Sequence, residues 1–112
     1  MNNLPYIIQS NFDKILDLCV EHQVEKMYLF GSVIREDFDE KTSDIDVIVE
    51  IINEDPLERG QQILDFWNKL EDLFDKKVDL LTNQPIRNPF LKKNIDNTKM
   101  LIYDRKNTEI LV

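Results

Sequence analysis

The stretch YLFGSVIREDFDEKTSDIDVIVEII, residues 28–52, decides the fold. Its apolar opening, Tyr28-Leu29-Phe30, stops at Gly31-Ser32. One of only two glycines in the 112-residue chain stands there, where a backbone must turn sharply or approach a ligand closely. The stretch closes on Ser43-Asp44-Ile45-Asp46-Val47-Ile48-Val49-Glu50-Ile51, whose alternation reads as a strand. Side chains alternate along a strand, so Asp44 and Asp46 share a face, with Cα atoms roughly 6.5 Å apart. Two ionised carboxylates held that close repel unless something positive lies between them. Ile45, Val47, Val49 and Ile51 take the reverse face and can bury. The whole reads as strand, Gly-Ser turn, short helix over Gly31–Glu36, polar loop over Asp37–Ser43, and a second strand over Asp44–Ile52.

The rest of the chain arranges itself around that unit. Upstream, Ile8, Phe12, Ile15 and Cys19 recur at helical spacing, which predicts one helix over Leu4–His22 with Pro5 in its first turn. Val24–Phe30 is the first strand. Downstream, Asn53-Glu54-Asp55-Pro56 is a helix start, with Asp55 as N-cap and Pro56 at the first helical position. That helix runs to Phe74 and buries Ile63, Phe66 or Trp67, Leu70, and Leu73 or Phe74. Lys77–Thr82 is a third strand with Val78 and Leu80 on one face and Asp79 and Leu81 on the other. A loop with two prolines over Asn83–Pro89, a short helix over Pro89–Asn97 and a last strand over Lys99–Asp104 follow, then a tail over Arg105–Val112. The expected architecture is α/β (α+β): a small mixed sheet of about four strands with helices mainly on one face, in a single domain over residues 1–112.

Composition narrows the function. No apolar run is long enough to span a membrane. The start, MNNLPYIIQS, lacks the pattern of a signal peptide. A single Cys19 fits a reducing compartment, so a cytoplasmic location is expected. One His and one Cys argue against structural zinc, and any metal should be held by oxygen. Net charge is −8, divided as −11 over residues 1–84 and +3 over residues 85–112. Long nucleic acids need clustered Lys and Arg, so they are disfavoured. A small phosphorylated ligand or a basic protein partner is not.

The candidate chemistry rests on two features. If the second and third strands pair, Asp44, Asp46 and Asp79 converge on one patch. Three carboxylates there suit one or two divalent cations, and two ions about 4 Å apart grip both oxygens of an in-line phosphoryl displacement. The second feature is Gly31-Ser32 at a helix start, where N–H groups attract anions. The Ser32 hydroxyl can donate to a phosphate oxygen, and Arg35 on the same helix face offers a planar fork. Taken singly, each has a plainer reading: a turn, a solvated strand end, a surface acid, a solvated arginine. Their order along the chain is what gives them weight.

Gly31-Ser32, Arg35, Ser43-Asp44-Ile45-Asp46-Val47 and Val78-Asp79-Leu80 resemble the signature of the DNA polymerase β-like nucleotidyltransferase superfamily. The short length resembles its minimal prokaryotic members, and residues 95–104 resemble the closing helix and strand. The resemblance implies that Asp44 and Asp46 bind two Mg2+ ions. It further implies that Asp79 binds the catalytic ion and helps deprotonate the attacking hydroxyl, and that Gly31, Ser32 and Arg35 bind the triphosphate. The implied reaction moves a nucleoside monophosphate, AMP from ATP, onto a hydroxyl and releases pyrophosphate. Minimal members pair with a HEPN-domain toxin and act as its antitoxin, some by adding AMP to a toxin tyrosine. Two departures stand out: Glu36 replaces a glycine common after the arginine, and eleven residues separate Ser32 from Asp44, about one more than the pattern.

The leading expectation is therefore a Mg2+-dependent nucleotidyltransferase that uses ATP and acts on a partner protein. Alternatives are an antitoxin that works by occlusion alone, and a small-molecule adenylyltransferase. Exposed apolar residues on the helix over 57–74 or in the tail leave a homo-oligomer or a partner interface open.

Overall fold

The computed structural model describes residues 4–35, 38–82 and 89–106. The helices are α1 (Tyr6–Gln9), α2 (Phe12–Glu21), α3 (Pro56–Phe74) and α4 (Pro89–Thr98). The strands are β1 (Val24–Phe30), β2 (Ile45–Ile51), β3 (Val78–Thr82) and β4 (Met100–Asp104). They form one mixed sheet in the order β3-β2-β1-β4. β1 pairs antiparallel with β2 and β4, while β2 and β3 run parallel. A parallel pair needs a crossover, and α3 supplies it, as the α/β reading expects.

The core lies between the sheet and α2 and α3. Met27 and Leu29 of β1 pair with Val49 and Val47 of β2, and all four are fully buried. Ile45 and Val78 extend the same layer. Against it pack Ile15 and Cys19 of α2 and Phe66, Leu70 and Phe74 of α3. The alternation read in residues 45–51 puts Ile45, Val47 and Val49 in the core, while Ile48 on the Asp46 face is buried too and Ile51, expected to bury, is only half-buried.

α3 begins as its sequence dictates. The Asp55 carboxylate accepts from the N–H groups of Leu57 and Glu58, and Pro56 follows. The helix ends at Asp75 in the left-handed conformation, with φ 51°. Phe66 takes the central core position, and Trp67 sits at its edge, half-buried.

Two expected elements differ. The helix expected over Leu4–His22 is two helices broken at Ser10-Asn11. The Asn11 side-chain amide donates to Ile7 O at 2.8 Å, so a polar side chain takes a carbonyl the next turn would have used. Pro5 is the N-cap of α1 rather than a first-turn residue. The helix expected over Gly31–Glu36 is a single 3-10 turn over Gly31–Ile34. Glu36 and Asp37, the loop residues 83–88 and the tail residues 107–112 lie outside the described residues, so the departure at Glu36 and the readings on those segments do too.

Candidate active site

Register brings the acids together. In β2 and β3 Asp46 stands opposite Asp79, and in β1 Phe30 stands opposite Asp46. Cross-strand partners point to the same side of a sheet. One residue past Phe30, the chain turns at Gly31 with φ 70°. A Cβ placed on Gly31 would lie 2.1 Å from Asp46 Oδ2. Glycine is needed here twice over, for the positive φ and for the space the carboxylate occupies. The Gly-Ser turn and the acidic strand are therefore in contact.

Electrostatics report the crowding. Burial, followed by the charge and hydrogen bond of Asp79 and the charge of Asp44, pushes the Asp46 carboxyl up to about 6, and the Arg35 guanidinium pulls the other way. Lys77 Nζ stands 3.9 Å from Asp44 Oδ2 and 3.7 Å from Asp79 Oδ1. Asp46 and Asp79 are thus a touching pair, and Asp44 joins them across Lys77. As they stand, no three His, Cys, Asp or Glu side chains among the described residues are close enough to cage a metal. The donor chemistry nevertheless fits a hard divalent cation. All donors are carboxylate oxygens, and a cation there would offset the burial and the like charge that raise Asp46.

Ser32 is half-buried, and its hydroxyl makes no hydrogen bond to any described residue. The dipole of a true helix, expected behind it, is not there: one 3-10 turn carries little of it. Arg35 does not share a helix face with Ser32. It caps the turn with extended backbone at φ −110°, its N–H donating to Ser32 O, and its charge still reaches Asp46. All six residues expected in the site lie at one end of the sheet, although Arg35 arrives there by a different route.

Three further residues position the acids. Trp67 Nε1 donates to Val78 O at 2.7 Å, and Val78 N–H donates to Glu71 Oε2 at 2.9 Å. Residues four apart on a helix face the same way, so α3 grips both backbone groups of the residue preceding Asp79. Sequence reading took Trp67 only as core. The signal available was its spacing from Glu71. Lys77, the third, was legible only as the neighbour of Val78-Asp79, because its reach to Asp44 depends on strand pairing.

A parallel pair that aligns two acids thus lies beside a glycine turn leading out of the neighbouring strand. The chain matches the family described as "Polymerase beta, Nucleotidyltransferase" over residues 13–108 and belongs to it. It is 36% identical over 83 residues to a Methanocaldococcus jannaschii protein named "Putative protein adenylyltransferase MJ1217", covering 74% of this chain and 79% of that one. Its fold is similar to that of a solved structure described as a "putative minimal nucleotidyltransferase" (TM-score 0.66, 22% identity, 83% of this chain and 90% of the other). It is also similar to a structure of a tri-AMPylated Shewanella oneidensis HEPN toxin in complex with MNT antitoxin (TM-score 0.57, 24% identity, 92% and 77%).

Proposed function

We propose that this chain is a single-domain, cytoplasmic, Mg2+-dependent adenylyltransferase that moves AMP from ATP to a hydroxyl of a partner protein, a HEPN-type toxin, as its antitoxin. Family membership supports the reaction class. The named relative supports a protein acceptor, and the antitoxin-complex neighbour supports the partner. The observation that carries the reading is the alignment of Asp46 with Asp79 beside a Gly31 that leaves no room for a side chain.

In this reading Asp44, Asp46 and Asp79 would hold Mg2+, which would supply positive charge against the triphosphate. The Gly31-Ser32 turn and the Arg35 guanidinium bind phosphate oxygens. Asp79 accepts the proton of the acceptor hydroxyl. That oxygen bonds to the α-phosphorus, the bond from the α-phosphorus to the bridging oxygen breaks, and pyrophosphate leaves. Positioning and charge neutralisation supply most of the acceleration in such transfers.

The test is transfer of label from α-phosphate-labelled ATP to the co-expressed partner. Asp46→Asn and Asp79→Asn should each lower it by about a thousandfold or more while leaving the fold intact. A triple variant of Asp44, Asp46 and Asp79 that still protects growing cells from the toxin would favour occlusion instead. Label appearing in small metabolites rather than protein would favour a small-molecule acceptor.

A further inference from the structure

Lys77 stands within the row of acids. Asp46 faces Asp79 across β2 and β3, and two residues back along the two segments come Asp44 and Lys77. Alternation puts all four on one face of the sheet. The pairing continues past the start of β3, where Ile45 N–H, between Asp44 and Asp46, donates to Lys77 O at 3.1 Å. The next residue, Val78, is held by α3 through Trp67 and Glu71. The Lys77 backbone is therefore fixed against β2 on one side and by its held neighbour on the other. Its ammonium is placed more loosely. Nζ is 3.9 Å from Asp44 Oδ2 and 3.7 Å from Asp79 Oδ1, beyond hydrogen-bond distance of both. The lysine side chain is 68% exposed. A compact charge on a flexible four-carbon stem can be shared between two carboxylates and released from them. Taken singly, each contact is a surface ion pair of little energetic weight. Its setting gives it meaning, because the two carboxylates come from different segments and both belong to the proposed metal site.

We propose that Lys77 is the resident counter-ion of the acids and competes with a divalent cation for Asp44 and Asp79. The inference rests on the metal-binding reading of the three acids given above. Without metal, the ammonium offsets the repulsion between the carboxylates. For a divalent ion to take the same carboxylates, the ammonium must swing away, because the two cations repel. Lys77 thereby holds the metal affinity of the site below what its carboxylates alone would give. It is a positioning residue that tunes the site without being a ligand.

Mn2+ is the probe, titrated into the full chain without nucleotide or partner and followed by the loss of the free-ion EPR signal. Asp46→Asn should bind it more weakly than the unaltered chain. Lys77→Met should bind it about fivefold more tightly, by loss of a like charge. Lys77→Arg keeps the charge and should show no gain. Lys106→Met makes the same change in net charge at the far end of the sheet, beside Glu25, and should leave the affinity unchanged. A misfolded variant cannot bind more tightly, so the direction of the Lys77→Met effect is itself diagnostic. Mn2+ binding that depends on Asp46 but is unchanged or weakened in Lys77→Met would overturn this inference and leave the metal site standing. An equal gain in Lys106→Met would make the effect one of net charge and overturn it as well. Mn2+ binding indifferent to Asp46→Asn would remove the metal site, and this inference with it.

Discussion

Gly31 and Gly60 are the chain's two glycines, and their surroundings give opposite expectations for the same substitution. At Gly31 a Cβ meets the Asp46 carboxylate and φ is 70°. Gly31→Ala should therefore cost about 1–2 kcal/mol for the left-handed backbone alone, displace Asp46 and abolish transfer. At Gly60, inside α3, a Cβ meets nothing within 4 Å. Gly60→Ala should stabilise the protein by about 0.5–1 kcal/mol and leave activity unchanged. Chemical denaturation of both variants checks the signs. Asp46 yields a pH prediction of its own. Its folded value, raised to about 6, lies above the ordinary carboxylate value of 3.8, so the folded state binds the proton more tightly. The resulting stabilisation is complete below the ordinary value and is lost as pH rises through about 6. In EDTA, the difference in melting temperature between the chain and Asp46→Asn should change across that window, and a difference constant with pH would contradict it. The pair Asp44 and Asp46 was legible because strand alternation leaves no other option. The contact with Gly31 was not, since it depends on the pairing of Phe30 with Asp46.

At the scale of elements, α3 was the most legible and the most informative. Its cap, its proline and its apolar spacing all point to one start and one buried stripe. Asp55→Ala should lower stability by about 1 kcal/mol, measured by denaturant unfolding. The hold of α3 on β3 is the less obvious property. Trp67→Phe keeps the ring but frees Val78 O, and Glu71→Gln weakens the bond to Val78 N–H. Each should lower transfer by about tenfold through misplacement of Asp79 with a stability loss of only about 1 kcal/mol. A stability loss with unchanged transfer would reduce the clamp to a structural role. The elements that resisted sequence reading are short ones. Helical periodicity runs on through Ser10-Asn11, but the Asn11 side chain competes for a backbone carbonyl and ends the turn. Over Gly31–Ile34, a buried Val33 fits one tight turn as well as a longer helix, so spacing alone does not set its length.

For the whole molecule, the mixed sheet follows from three antiparallel or parallel choices that hydrophobic patterning constrains but does not list. The order α, β, α, β implied a crossover. That β4 joins β1 at the far edge, so that β2 and β3 are left to align their acids, became clear only in three dimensions. Charge acts at this scale too. With −8 overall, an anionic triphosphate would approach against the net field, and in the proposed reading a divalent cation at the acids would reverse that locally. No helix among the described residues is long and apolar enough to cross a membrane. The most direct measurement of the central claim is label transfer from α-phosphate-labelled ATP to the partner protein with and without Mg2+, by the unaltered chain and by Asp46→Asn. Transfer that requires Mg2+ and is lost in Asp46→Asn is the predicted result. Undiminished transfer by that variant, folded and saturated with Mg2+, would contradict it.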